Sequence, residues 1–396
     1  MKSGTTIIVA CSAVFLAQLG MTIYLPALPT IAQDLQVPAP QTALALAAYL
    51  IGTALTMLSW ASLGERCGRK PVLLAALALY GLTSAALPAA IGIKSFILLR
   101  LIQGIGSGGV SVMARVLIRD SFSGSMLAKA LSWLSISFVV SLGIGQYLGS
   151  LLQAGLGWHG IFYVLAGGAL LLMLILLRIP FAAVPRKEPA QASWRIYAAI
   201  LCHAGFLRPA LAGGLGYAAI TAFNTCAPLI LQGQFHWTAK DYGLLGWPIS
   251  AAYFLGAIVV NKFVLKIGRQ RLMTLGIALM LCGSGTMILG SLFGTALAVS
   301  LWLPYCLAIF GQAMNYPISL SIANDDSPVH GPYAMALCGL LHQVIAAAIG
   351  SLASLLPHQH VWPLSLMNTL LALAALMCVV FSGGAAIEKR KLGAYM

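Results

Sequence analysis

Apolar runs of roughly twenty residues, cut by short polar breaks, follow one another along the whole chain, and that length is what an α-helix needs to cross a hydrocarbon core. By length the pattern predicts twelve spans, near 4–27, 41–63, 72–93, 95–117, 129–154, 160–183, 207–231, 242–264, 272–293, 296–322, 333–355 and 363–383. The longest interruption starts at Val184 and carries Arg186, Lys187, Glu188 and Arg195. Within it, SWRIYAAIL (193–201) reads as an amphipathic helix on the membrane surface. The expected architecture is an all-α membrane protein. It has a six-helix bundle over 1–183, a cytoplasmic linker over 184–206, and a second six-helix bundle with a short tail over 207–396.

Composition supports the membrane reading. Of 396 residues, 60% are hydrophobic and 8% charged, against about 25% charged in soluble domains. The net charge of +14 would suggest nucleic acid, but its placement argues otherwise. With both termini in the cytoplasm, Lys94 and Lys240 are the only Lys or Arg on the outer side. Arg100 and Arg115 fall within the fourth span, and the other basic residues face the cytoplasm, as the positive-inside rule requires. Anionic lipid of the inner leaflet attracts the same charge. The cysteines are scattered singly without a C-x-x-C pair, so neither a metal site nor a disulfide framework is indicated. The first apolar run is too long for a signal-peptide core and lacks a cleavage site after it, so it is expected to be retained.

The densest charge lies in WASLGERCGRKP, from Trp60 to Pro71. Gly64 and Gly68 allow a tight turn there, and Pro71 suits the first turn of the next helix. On charge alone this is a topogenic loop. The order of Gly, acid and base is more specific. Leu63, Glu65, Arg66, Gly68, Arg69 and Lys70 resemble the signature loop between helices 2 and 3 of the major facilitator superfamily, with Glu for the usual Asp and Ala61 where the first Gly is expected. A weak echo, KIGRQR, with Gly268, Arg269 and Arg271, follows the eighth span. The resemblance implies two parallel six-helix repeats and a loop that controls conformational exchange.

The fourth span carries Arg100, Gln103 and Gly104 in the spacing R-x-x-Q-G. This resembles the second motif of twelve-helix drug:proton antiporters of the Bcr/CmlA and EmrD type, in which the Arg is implicated in proton transfer. The alternative is an Arg that snorkels to the nearer membrane surface. Arg115 is open between an anchor and an anion contact, and Arg119 reads as an anchor. The fifth span, with Gly143, Gly145, Gln146 and Gly149, resembles the antiporter packing motif, with Gln146 in place of its Pro. Plain helix packing through G-x-x-x-G is the alternative. The first span holds QLGMTIYLPALP, where the family often has an Asp; here it has Thr22.

All eight acids map to loops or helix ends. The polar groups left inside spans are mostly neutral. Candidates to line a substrate cavity are Gln18, Thr22, Tyr49, Gln103, Arg115, Tyr217, Asn224, Tyr253, Gln312, Asn315, Tyr316 and Gln343. His342 is the only histidine well inside a span and, with Arg100, a proton-coupling candidate, since imidazole titrates near neutrality. A hydrogen-bonded core histidine is the alternative. The resemblance implies an exporter of small molecules across the bacterial inner membrane by alternating access, with drug/proton antiport. Export of an anionic metabolite such as a carboxylate siderophore is the second reading. A membrane enzyme is disfavoured, because there is no H-E-x-x-H, no paired intramembrane acids and no nucleophile motif. Expected partners are the substrate, protons and lipid, with no nucleic acid, no cofactor and a monomeric chain.

Overall fold

The computed structural model describes residues 3–122, 124–179, 181, 194–292, 298–328 and 332–393. Residues 184–193 of the expected linker, with Arg186, Lys187 and Glu188, lie outside them. So do the side chains of Glu65, Arg119, Arg195 and Glu388. Among the described residues every regular element is helical. The α-helices are α1 (Ser3–Thr22), α2 (Leu28–Asp34), α3 (Ala39–Cys67), α4 (Arg69–Ala86), α5 (Ile93–Ser121), α6 (Gly124–Arg178) and α7 (Trp194–Leu201). There follow α8 (Ala204–Gly233), α9 (Ala239–Leu244), α10 (Gly246–Ile267), α11 (Arg269–Leu292), α12 (Val299–Asp325), α13 (Pro332–Ala353) and α14 (Trp362–Gly393).

Ten described helical segments are long and apolar enough to cross a membrane, and Leu337–Ala353 is a shorter apolar one. One of the ten, Ile136–Arg178, has 43 residues, about twice what one crossing needs. It is broken at Gly157, whose φ of 66° is left-handed. Counted as two crossings, it brings the described chain to the twelve that hydropathy predicts.

The chain folds into two compact units. One comprises Met1–Gln191, Asn224–Ser250 and Gly350–Gln359; the other comprises Ala192–Phe223, Ala251–Ile349 and His360–Met396. In the first, α5 packs along α3 and α4, and α1 packs on α5 and α6. Lipid is as apolar as a helix core, so close approach of small residues does the packing. A Cβ on Gly104 would overlap the Tyr49 carbonyl, and one on Gly106 would lie 2.7 Å from the Tyr80 amide nitrogen. In the second unit, Leu272, Ile277, Met314, Ile318, Ala375 and Val379 form a core between α11, α12 and α14. The amphipathic helix expected over 193–201 forms as α7, and its Ile200 is buried against Phe206, Ala210, Ala323 and Leu337.

The repeat seen in one loop extends into the packing. Gly68 (φ 95°) and Gly268 (φ 89°) make the same left-handed turn before α4 and α11. Gly64 does not share that turn. It lies inside α3, where a Cβ would press on Met113. Gly106 rests on the Ala76 carbonyl and Tyr80 amide, and Gly311 rests in the same way on Gly276 and Met280. Arg69 pairs with Asp120, and Arg269 with Asp325.

Candidate functional site

Arg100 lies on α5 with no exposed surface. Its guanidinium carbon is 4.1 Å from the Tyr24 ring centroid and 4.5 Å from that of Tyr49. Nη1 donates to the Gly20 carbonyl at 3.0 Å and to Gln103 Oε1. Gln103 Nε2 donates to Ser84 Oγ at 2.7 Å, and Ser84 donates to the Tyr80 carbonyl at 2.6 Å. The hydroxyls of Tyr49 and Tyr80 donate to Ala17 and Leu16 of α1, at 2.6 and 3.1 Å. Arg100 therefore does not snorkel; it is held against α1 and α3 and, through Gln103, linked to α4. Two aromatic faces return roughly 2 kcal/mol each when desolvated, less than the several kcal/mol of burying an ion. The Tyr24 hydroxyl also interacts with the guanidinium; Nε and Nη2 of Arg100 and the Tyr242 hydroxyl are buried without a hydrogen bond of good geometry.

At the far end of α5, Arg69 Nε is 2.9 Å from Asp120, and its Nη1 donates to the Gly64 carbonyl at 2.6 Å. Arg69 thus ties the start of α4 to the ends of α3 and α5. Lys70 Nζ donates to the carbonyls of Leu177 and Ile179, at 3.2 and 2.9 Å, and so caps the C-terminal end of α6. Arg66 is exposed.

The small face of α6 meets α1, α9 and α10. A Cβ on Gly145 would strike Thr22, one on Gly149 the Ile23 carbonyl, and one on Gly143 the Ser250 hydroxyl and Gly246 carbonyl. Thr22 is buried and donates to the Ser141 carbonyl at 3.3 Å. Gln146 is buried and its Oε1 has no partner.

In the other unit a second polar cluster rests on the backbone of α8. Asn315 Nδ2 donates to the Ala212 carbonyl and to Gln312 Oε1, both at 3.0 Å. Gln312 Nε2 reaches the Gly213 carbonyl at 3.5 Å. His342 Nε2 lies 3.0 Å from the Ala210 carbonyl and 3.4 Å from Cys338 Sγ. The Tyr316 ring stands 5.1 Å from His342 and 5.8 Å from Tyr217. Asn315 Oδ1, His342 Nδ1 and Gln343 Oε1 are buried without a partner.

The sequence matches the Major Facilitator Superfamily over residues 10–351. The chain belongs to that superfamily. It is similar to multidrug resistance protein D of Escherichia coli K12, at 27% identity over 92% of each chain. It is also similar to the chloramphenicol resistance protein CraA of Acinetobacter baumannii, at 27% identity over 88% of this chain and 85% of that one. A bicyclomycin resistance protein homolog of Haemophilus influenzae is 25% identical over 85% of each. Among solved structures, a D-xylose-proton symporter superposes with a TM-score of 0.74 at 15% identity, covering 94% of this chain and 96% of that one. A bacterial homolog of the lysosomal transporter Spinster superposes with a TM-score of 0.68 at 14% identity, covering 96% and 94%. These two show a shared fold.

As a major facilitator protein, the chain is a multi-pass inner-membrane transporter and not an enzyme. Within that fold, the structure gathers Tyr49, Arg100 and Gln103 into one cluster, and Tyr217, Gln312, Asn315, Tyr316 and His342 into another. Arg115 is exposed on α5 and has no part in the Arg100 cluster. Asn224 and Tyr253 are buried, and Gln18 Oε1 is buried without a partner. Sequence reasoning missed Gly20, Tyr24, Tyr80 and Ser84. Only the i, i+4 spacing of Tyr80 and Ser84 signalled a shared polar face.

Proposed function

We propose that the chain exports small neutral or anionic drug-like molecules by proton antiport and alternating access between two bundles, 1–183 and 207–396, with both termini cytoplasmic and the monomer as the working unit. The resistance proteins among its relatives support export of drugs. One observation carries the charge preference. Asp34, Asp120, Asp241, Asp325 and Asp326, the described acids, are all exposed, while a guanidinium is fully buried. A permanent cation would enter a low-dielectric site without a counter-charge. Arginine stays protonated in proteins, so Arg100 would act on the proton cycle through its charge and His342 would be the titrating group. The loop Glu65, Arg66, Gly68, Arg69 and Lys70 would govern exchange between the open states.

The test is accumulation of chloramphenicol in everted vesicles under an imposed pH gradient. Uptake that collapses when the gradient is dissipated is expected; uptake indifferent to the gradient would reject antiport. A second reading, export of a carboxylate metabolite such as a siderophore, is favoured by the unpartnered Nε and Nη2 of Arg100. A hydroxycarboxylate competing with chloramphenicol in the same vesicles would support it.

A further inference from the structure

The start of α11 and the ends of α10 and α12 enclose a cleft of about 440 Å³, with Ile267, Arg269, Arg271, Ile322 and Asp326 in its lining. It lies within the second unit, at the break between the spans Ala239–Val264 and Arg269–Ser291, and so at the level of lipid headgroups. The helices on either side of it turn apolar side chains outward. On α10 these are Phe263 and Ile267, one turn apart, at 41% and 40% exposure. On α11 it is Leu275, one turn after Arg271, at 47%. In a membrane these side chains meet acyl chains, which are as apolar as they are. A basic cleft therefore borders an apolar, lipid-facing surface.

The charge at this corner is answered only in part by the chain. Arg269 Nη1 pairs with Asp325 and donates to the Ser321 hydroxyl at 2.9 Å. Arg271 is exposed and takes part in neither of the ion pairs among the described residues, Arg69–Asp120 and Arg269–Asp325. Lys262 and Lys266, exposed on the last turns of α10, add two cations just before Ile267. Against these three stands Asp326 in the lining. The repeat shows the difference. In the first unit, the second base after the left-handed glycine is Lys70, which is engaged by the chain itself. Its Nζ donates to the carbonyls of Leu177 and Ile179 and lies 5.7 Å from the Phe181 ring centroid. In the second unit the second base is Arg271, and it makes no such bond among the described residues.

A guanidinium with free donors receives a phosphate in two parallel hydrogen bonds. Basic pockets between spanning helices on the cytoplasmic side take anionic lipid headgroups. We propose that this cleft binds the phosphodiester headgroup of one anionic phospholipid, with Arg271 on the phosphate and the acyl chains along Phe263, Ile267 and Leu275. With both termini cytoplasmic, as in the function proposed above, the lipid belongs to the inner leaflet. A soluble phosphate ester shares the headgroup chemistry but gains nothing from the apolar flanks. A zwitterionic lipid brings no net charge to the excess of cations. The basic run Lys389, Arg390 and Lys391 near the end of the chain has the wrong sign to fill the cleft.

The experiment follows the unfolding temperature of the purified full chain in neutral detergent micelles titrated with phosphatidylglycerol. It involves no transport and no membrane orientation, so failure of the exporter reading leaves its outcome unchanged. A saturable rise is expected with phosphatidylglycerol. Little or no rise is expected with phosphatidylcholine, with phosphatidylethanolamine, or with glycerol 3-phosphate, which has the phosphate without the acyl chains. Arg271→Gln is expected to raise the half-saturating lipid concentration several-fold. Arg178→Gln removes the same charge from an exposed site at the end of α6 and is expected to leave that concentration unchanged. An equal rise with either zwitterionic lipid overturns the proposal, because the site would not select an anion. An equal rise with glycerol 3-phosphate overturns it in favour of a soluble phosphate ester. No saturable response, or equal effects of Arg271→Gln and Arg178→Gln, overturns it in favour of attraction by overall charge alone.

Discussion

At the scale of single residues, the first unit is governed by how one buried charge is held. Gln103 links Arg100 to Ser84 and thereby ties α5 to α4. Hydrogen bonds between membrane helices are worth about 0.6 kcal/mol on average. Removing a partner from a buried charged donor costs about 1–3 kcal/mol or more. The second figure applies here, since Arg100 has no exposed surface. Gln103→Leu is therefore expected to destabilise by about 1–3 kcal/mol, although it preserves size and adds apolar surface. Thermal unfolding of the purified variant checks this; a loss no larger than an ordinary interhelical bond would mean that water reaches Arg100. The i, i+3 spacing of Arg100 and Gln103 was readable from the sequence. Gly20, Tyr24, Tyr80 and Ser84 were not, because they come from other helices. A spanning helix is apolar on its lipid side and on its protein side alike, so hydropathy does not say which face turns inward.

At the scale of elements, close packing and end contacts set what each helix can do. A Cβ on Gly106 would lie 2.7 and 2.9 Å from the Tyr80 amide nitrogen and Cα, which are backbone and cannot rotate away. Gly106→Ala is expected to cost about 1–3 kcal/mol through overpacking. Gly167, with nothing within 4 Å of a Cβ, is the control. Its Ala variant should be neutral or stabilising by up to about 1 kcal/mol, as expected for Gly in a helix. Equal effects in the two variants, measured by thermal unfolding, would show that α4 and α5 can separate freely. The Arg69–Asp120 pair is partly exposed, at 14% and 20%, and pairs of that kind are worth about 0–1 kcal/mol. Arg69→Ala should barely change stability yet slow transport, since Arg69 also holds the Gly64 carbonyl and so joins three helix ends. A transport rate equal to wild type would leave the loop with a topological role alone. The number of crossings and the loop signature were legible because both are written in local sequence. The break at Gly157 fell in the gap between the fifth and sixth predicted spans. The role of Gly64 was misread because neighbouring glycines look alike in sequence, and only Gly68 has a left-handed backbone.

At the scale of the whole molecule, the distribution of charge is the property most open to test. The described carboxylates are exposed at the ends of helices: Asp34 is held by Trp158 at 2.6 Å, Asp120 by Arg69, and Asp325 by Arg269. Inside the spans the buried polar groups are amides, hydroxyls, His342 and Arg100. Bringing a permanent cation into such an interior would remove its hydration without supplying an ion pair. An anion could meet Arg100, or a protonated His342. A neutral molecule would find amide and hydroxyl partners such as Asn315 and Gln343, whose side-chain oxygens are unpartnered. Transport should therefore fall from neutral and anionic compounds to quaternary ammonium compounds. The comparison is initial rates for matched substrates in proteoliposomes under one imposed pH gradient. His342→Ala should flatten the pH dependence of those rates without changing the order of substrates. Arg115→Ala should slow an anionic substrate more than a neutral one if the exposed Arg115 guanidinium contacts the anion on its path. Rapid, gradient-driven transport of a quaternary ammonium dye by the wild type would refute the selectivity, and would assign recognition of the cation to aromatic faces such as those of Tyr217 and Tyr316.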